Sequence, residues 1–197
     1  MTKLINSTPD DLNSFAGLSF SELFPSEFKK ANHSLIGEIR KMASGETQQA
    51  TPKAIKCFKG LQSNDLASAL FSIGLKNVGY SRRTEFIDAG EVDLKCRVDL
   101  VDEQKKVGAF MVVTSATNQE EFSRACIKNN HWTRASFYIL ASDLGACFII
   151  GISISKPGRI FVSGFPMANP RYTEGFSKIR KAISEGYSKE TIGVGNQ

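Results

Sequence analysis

The stretch EVDLKCRVDLVDEQKKVGAFMVVT, residues 91–114, decides the fold class because it holds two strands of different character joined by a polar turn. Residues 91–100 alternate polar and apolar side chains, which is typical of a strand with one exposed face. Val107–Thr114 is an almost continuous apolar run and indicates a central strand covered on both faces. We therefore expect an α/β (α+β) fold with a central mixed sheet flanked by helices.

Upstream of this stretch, residues 79–88 (GYSRRTEFID) predict a strand that pairs with residues 91–100 through a hairpin at Ala89-Gly90. Farther upstream, N-cap residues and apolar stripes predict three helices. These helices are Ser26–Met42, Pro52–Gly60 and Ser63–Gly74. The resulting domain prediction is a helical subdomain over 1–75 packed on a core at 76–190, followed by a flexible tail at 191–197.

Downstream of the central strand, the pattern predicts a helix, a buried hairpin and a closing helix. Asn118 is a suitable N-cap for the first helix, and residues 132–141 fit either a helix or a strand. The remaining predicted elements are strands at 146–154 and 159–165 and a helix at 170–186.

Length and composition fit one soluble globular domain of 197 residues, with 41% hydrophobic and 23% charged residues. No apolar run reaches the roughly 18–20 residues that span a bilayer, and the first residues lack the apolar core of a signal peptide. We therefore expect a cytoplasmic protein without a membrane partner. The four cysteines are scattered without a CxxC pair, and the chain has only two histidines, so a zinc site is not expected.

The positive charge of the chain is concentrated near its end. Residues 156–197 hold seven Lys or Arg against three Glu, whereas the first 155 residues hold 18 basic and 17 acidic groups. A basic segment beside a near-neutral body is typical of phosphate contact, and it also fits a solvated helix face.

Two ordered stretches carry a family resemblance, namely residues 84–100 (TEFIDAGEVDLKCRVDL) and the run from Val107 to Leu140. Together they resemble the phage and prophage exonuclease VIII (RecE-like) family of PD-(D/E)XK nucleases. That family has a strand with a glutamate, a strand with K-x-R-P-D, a helix with F-x-R-A and a later Q-A-A-F-Y. The matching residues are Glu85, Lys95, Arg97, Asp99, Phe122, Arg124, Ala125, Ala135, Phe137 and Tyr138.

The resemblance implies a metal site that this chain has altered. In the family, an acid on one strand faces an acid and a lysine on the next; the carboxylates hold Mg²⁺ and the lysine positions the attacking water. Here Met111 replaces the second acid, Val113 the lysine and Arg134 the usual glutamine. Thioether and isopropyl groups are poor ligands for Mg²⁺. We therefore expect a vestigial catalytic set (Glu85, Asp99, Met111, Val113) and no cofactor, with Mg²⁺ relevant only if Glu85 and Asp99 retain nuclease activity.

Three functions are compatible with this pattern. The first is a pseudo-nuclease of phage or mobile-element type that binds DNA without cleaving it. The second is a protein-binding inhibitor of a host nuclease or defence complex, built on the same scaffold. The third is an active Mg²⁺-dependent exonuclease with relocated ligands, for which Glu120 or Glu121 and Lys128 are candidates. The nucleic-acid-binding residues expected for the first are Lys95, Arg97, Arg124, Arg134, Tyr138, Lys178, Arg180 and Lys181, with Arg82, Arg83 and Arg171 as further cations.

Two physical expectations concern the vestigial site. Strand alternation places Met111 and Val113 on one face, close to Asp99. Two carboxylates beside an apolar patch lack further ligands, so Mg²⁺ should not stabilise the fold and Asp99→Asn should be tolerated. The sequence leaves open the oligomeric state and the preference for single- or double-stranded DNA.

Overall fold

The structure is a computed structural model that describes residues 3–4, 18–25, 33–43, 45, 49–74, 79–87, 90–102, 104–164 and 169–193. In those ranges no helix combines the length and the apolar character needed to cross a membrane. The strands are β1 (Lys3–Leu4), β2 (Gly79–Ile87), β3 (Gly90–Val98), β4 (Leu100–Asp102), β5 (Val107–Thr114), β6 (Ala146–Ser153) and β7 (Ile160–Ser163). The helices are α1 (Phe20–Leu23), α2 (His33–Ala43), α3 (Pro52–Ser63), α4 (Asp65–Gly74), α5 (Gln119–Lys128), α6 (His131–Ser142) and α7 (Pro170–Gly193).

The strands form two hydrogen-bonded sheets. One sheet is antiparallel with the order β1-β2-β3, and the other has the order β4-β5-β6-β7. In the second sheet β5 and β6 run parallel, whereas β4 and β7 are antiparallel to their neighbours. Parallel neighbours need a long crossover connection, which α5 and α6 provide here. The expected mixed α/β fold, a mixed sheet flanked by helices, is confirmed.

The side chains of β5 alternate between two apolar cores on opposite faces of the sheet. Phe110 and Val112 join a core built with α5, α6 and α7, whereas Ala109 and Met111 join a core built with α2, α3 and α4. Both faces of β5 are therefore covered. This arrangement explains why the sequence of β5 is apolar at nearly every position rather than at every second one.

The alternation slips by one residue at Asp99, between β3 and β4. Val98 and Leu100 are two residues apart, yet they belong to cores on opposite faces. An extra residue of this kind acts as a bulge does: it bends the strand and re-aims a side chain. The strand expected at 91–100 is therefore two strands, and Asp99 alone lies between them.

The N-terminal helices differ from their predicted bounds. The first part of the expected helix at Ser26–Met42 lies outside the described residues, and its described part is α2, His33–Ala43. Gly60, predicted as a helix end, lies inside α3. A Cβ at this position would meet the Gly158 carbonyl oxygen at 2.0 Å. That glycine therefore permits close packing instead of ending the helix.

The two C-terminal helices pack closely. Residues 132–141, which fit a helix or a strand, lie within α6. A Cβ at Gly175 of α7 would meet Ser136 Oγ at 2.1 Å, so glycine lets the two helices approach. The expected helix end at Gly186 is wrong, since α7 continues to Gly193 and includes the start of the predicted tail. One glycine costs only about 1 kcal/mol in a helix interior and does not end it.

Candidate nucleic-acid interface around Asp99

Asp99 lies at the junction of β3 and β4 with both carboxylate oxygens engaged. Its side chain is 3% exposed. Oδ1 pairs with the guanidinium of Arg40 from α2, and Oδ2 accepts a hydrogen bond of 2.8 Å from the Met111 N–H. The charge of this carboxylate is thus balanced by an arginine of the helical layer.

Met111 and Val113 share one face of β5, as strand alternation predicts. Met111 is 2% exposed and lies in the core formed with α2, α3 and α4, and half-buried Val113 packs against the same core. Buried Ile150 lies opposite Met111 on β6. The face that carries an acid and a lysine in the resembled family is therefore apolar here and covered by helices.

The residues at this junction do not fit a Mg²⁺ ion. Mg²⁺ requires near-octahedral oxygen coordination, whereas both Asp99 oxygens have protein partners and Met111 offers only a thioether. Within the described residues, no three His, Cys, Asp or Glu side chains lie close enough together to hold a metal ion. We therefore derive no chemical step through a metal.

The opposite face of β5 carries a cation and two polar rings around Phe110. The Arg134 guanidinium lies 4.6 Å from the Phe110 ring centroid, and its Nε donates to the Tyr138 hydroxyl at 2.8 Å. The Tyr138 and His131 rings meet Phe110 edge-on, with centroid separations of 5.2 and 6.4 Å. A guanidinium over an aromatic face is attracted by the ring quadrupole, so Arg134 is held in place.

The electrostatics of this face keep the arginine charged and its neighbours neutral. Burial by itself would lower the pKa of Arg134, but Tyr138 and Asp99 raise the pKa above its ordinary value. Burial raises the pKa of Tyr138 to about 12, although Arg134 opposes the shift. Burial, together with the charge of Arg134, lowers the pKa of His131 to about 4. At neutral pH, the charged member of this group is therefore Arg134.

Lys95 and Arg97 occupy alternate positions of β3 before Asp99. Lys95 is 8% exposed, and its Nζ lies 3.8 Å from Glu22 Oε1 of α1. The backbone of Leu18 joins the same strand, where it accepts from Lys95 N at 3.0 Å and donates to Asp93 O at 2.8 Å. Lys95 is therefore covered by the N-terminal segment, whereas Arg97 is half-buried.

The acids proposed as relocated ligands are not brought to Asp99. Glu120 forms an exposed pair with Arg124 at 3.6 Å, one turn along α5. Glu121 accepts from Thr117 N at 2.7 Å, and this hydrogen bond lowers the pKa of its carboxyl group. Glu121 thus stabilises the start of α5. Lys128 lies in the last turn of that helix. On β2, Glu85 lies opposite Val92, and its side chain is outside the described residues, as are those of Arg82 and Arg83.

The cations of α7 project from its exposed side, opposite the buried Ile179 and Ile183. Lys178 pairs with Glu174 at 3.0 Å, and Lys181 pairs with Glu185 at 3.8 Å. Arg180 is exposed on the same helix, and Arg171 lies 5.9 Å from the Trp132 ring centroid. The predicted basic helix is therefore exposed, and two of its lysines share their charge with glutamates one turn away.

Arg40 is the site residue that the sequence did not reveal. It lies 59 residues before Asp99, in a helix that the sequence predicts from its apolar stripe alone. Because Arg40 balances Asp99, the structure supplies an argument against the expectation that Asp99→Asn is tolerated, which stays a prediction. The sequence did contain one signal for Arg40. It is a charged residue next to Ile39, an apolar position that is buried where the helix covers the sheet.

No family model matches the chain, and no curated protein matches it. Among solved structures it is similar to SSO0001, with a TM-score of 0.44 and 13% identity over 95% of this chain and 83% of that one. A phage-related exonuclease from Haemophilus somnus 129PT gives 0.41 and 13%, over 91% and 99%. An alkaline exonuclease from Laribacter hongkongensis gives 0.36 and 12%, over 90% and 93%. The structural neighbours of this chain thus include phage-related and alkaline exonucleases. Because so few residues are identical, no residue's role is transferred from these proteins to this chain.

Proposed function

We propose that this chain binds DNA through the phosphates without hydrolysing them. The observation that carries the proposal is the state of Asp99, whose carboxylate is balanced by Arg40 and hydrogen-bonded by the Met111 N–H. The next strand offers a thioether and an isopropyl group where the resembled family has an acid and a lysine. Because the described residues at this junction do not fit Mg²⁺, the proposal assigns the attraction of a nucleic acid to side-chain cations.

The cations around the site support this proposal. Arg134 is held against the Phe110 ring and the Tyr138 hydroxyl, where its charge adds to the positive potential of this part of the chain. The chain carries a net charge of +5, and residues 156–197 account for +4 of it, as seven basic minus three acidic groups. Arg180 presents an exposed charge on this segment. Such charges produce binding that depends on phosphate neutralisation and not on base sequence.

A protein-binding inhibitor is the second candidate, and one observation favours it. The pairs Lys178–Glu174 and Lys181–Glu185 reduce the positive charge that α7 can offer to phosphates. Fixed charges of both signs on one helix can be matched by a protein partner with the complementary pattern of charge. Binding of DNA at low salt is the measurement that separates the two candidates.

The test is a titration of labelled single- and double-stranded DNA at several salt concentrations, with Mg²⁺ present and cleavage followed in parallel. We expect binding without cleavage, and a log–log dependence on salt of about −0.7 to −0.9 per phosphate neutralised. Changing Lys178, Arg180 and Lys181 to Glu should weaken binding and flatten that slope by about two to three units.

A matched control is available on α3, where Lys53, Lys56 and Lys59 are three exposed lysines on another surface. Reversing those three changes the net charge by the same amount, three times −2, without touching α7. Equal losses of DNA affinity in both variants would show that the effect comes from the overall net charge and not from α7. No binding by the parent protein at low salt would overturn the proposal in favour of a protein partner, and cleavage that is lost in Asp99→Ala would overturn it in favour of an enzyme.

A further inference from the structure

A cavity of about 230 Å³ lies between α4 and the sheet, at the start of β5. Leu66 and Leu70 of α4 form one wall, and Val107, Ala109 and Phe148 form the opposite one. None of the residues that we connect with DNA lines this space. The cavity therefore belongs to a different part of the surface from the Asp99 junction and α7.

The walls of the cavity offer almost no polar partner to a ligand. The charged residues among those lining it are Asp102 and Lys105, and they face each other with Lys105 Nζ 3.8 Å from Asp102 Oδ2. The Lys105 N–H also donates to Asp102 Oδ1 at 3.0 Å. Among the described residues that line the cavity, these two opposite charges offset each other. A charged ligand would lose its hydration here without gaining a partner.

The volume of the cavity suits an occupant near the size of a bicyclic ring. Its volume exceeds the about 150 Å³ of an apolar protein cavity known to hold benzene. It falls below the about 300 Å³ at which pockets begin to enclose drug-sized molecules.

The cavity is accessible through the surface of α4. Leu66, at its rim, is 48% exposed, which is high for a large apolar side chain, and Ala69 beside it is also exposed. A ligand that covered Leu66 would remove this apolar surface from water. Burial of such surface is favourable by roughly 25 cal/mol per Å².

From these observations we propose that the cavity is a binding site for an uncharged, ring-sized apolar molecule. The site is independent of DNA binding, since no side chain is shared between them. Indole is a suitable probe because it is uncharged and bicyclic. Indole-3-acetate is a matched comparison that adds one carboxylate to the same ring.

The experiment follows amide resonances of the full chain during titration with indole. We expect saturable shifts at Leu66–Leu70 and Leu100–Asp102, and at least tenfold weaker binding of indole-3-acetate. Ala69→Phe places a ring at the mouth from an exposed helix position, so the fold should survive, and indole affinity should fall at least tenfold. The control Ser177→Phe adds the same ring at an exposed position of α7 and should leave affinity unchanged.

Three results would overturn the proposal. One is the absence of saturable shifts in these segments at millimolar indole, and another is indole affinity that is the same in Ala69→Phe and the parent. The third is binding of indole-3-acetate at least as tight as that of indole, because that result would indicate a cationic group of the protein at the site. DNA binding by the Ala69→Phe variant should remain unchanged, so failure here and failure of the DNA proposal are distinguishable.

Discussion

The two faces of β5 differ in the chemistry they carry. One face holds Met111 and Val113 in an apolar core beneath α2, α3 and α4. The other presents Phe110 to Arg134, His131 and Tyr138 of α6. In the family that the sequence resembles, charged groups on one strand face hold the metal. In this chain a charged group lies near β5 on each side, namely the Asp99–Arg40 pair beside Met111 and Arg134 beside Phe110.

This difference shows how a strand face can be filled by apolar side chains while a carboxylate stays at its edge. Met111 and Val113 fill their face of β5 with apolar volume. Asp99 is a buried charge that needs a partner, and Arg40 of α2 supplies one. The ion pair thereby joins the N-terminal helices to the sheet. Three measurements address this comparison.

The largest effect is expected for Arg40→Met. The substitution removes the cation that is hydrogen-bonded to buried Asp99, and breaking a buried pair in this way costs about 3–5 kcal/mol of unfolding free energy. Adding Asp99→Asn removes the stranded charge, so the double variant should recover most of the loss. Urea unfolding of the parent, both single variants and the double variant gives the coupling energy of the pair.

An exposed pair provides the matched control for this prediction. Arg124 lies 3.6 Å from Glu120 on α5, with both side chains more than half exposed. Arg124→Met should cost less than about 0.5 kcal/mol, because surface pairs are screened by water. If Arg40→Met and Arg124→Met cost the same, the Asp99 junction does not hold the layers together as described.

A smaller effect, dependent on pH, is expected from the face with Phe110. The pKa of His131 is about 4 in the folded chain, below its ordinary 6.5, because of burial and the charge of Arg134. Between these values the unfolded chain binds a proton that the folded chain does not. The free energy of unfolding is therefore not reduced by His131 above pH 6.5. As the pH falls toward 4, protonation of His131 in the unfolded chain lowers it by about 3 kcal/mol in total.

His131→Phe keeps an aromatic ring against Phe110 and removes the titration. Urea unfolding between pH 7 and 4.5 should show a smaller fall in stability for this variant than for the parent. That window lies above the range of Glu22, Glu38 and Glu121, whose lowered pKa values matter only below about 4.5. Identical slopes in the variant and the parent would contradict this prediction.

Local pattern was enough to predict much of the sheet. The apolar run of β5 indicated a strand covered on both faces, and alternation placed Met111 and Val113 together. The pairing of Lys178 with Glu174 was also readable, because residues four apart on a helix are neighbours. Each of these features depends on residues close together in the chain.

What could not be predicted depends on residues far apart. Helical periodicity places Ile39 in a core, but it does not show which strand end lies beside Arg40. The slip of alternation at Asp99 was hidden because Val98 and Leu100 are both apolar and both suit a core. The sequence predicted Gly60 as a helix end. The structure gives a different reason for glycine there, because the Gly158 backbone packs where a side chain would lie.

The smallest effect is expected for Mg²⁺, which should leave the melting temperature unchanged within about 1 °C at millimolar concentration. A ligand stabilises the folded chain only in proportion to its binding there, and Mg²⁺ gives up its water reluctantly. At Asp99 it would have to displace the Arg40 guanidinium and the Met111 N–H, and among the described residues no group of three His, Cys, Asp or Glu side chains is placed to hold it. NaCl at equal ionic strength is the control, because screening alone can shift a melting temperature. A rise of several degrees with Mg²⁺ that disappears in Asp99→Asn would show that Arg40 yields to the ion and that the face with Met111 still chelates.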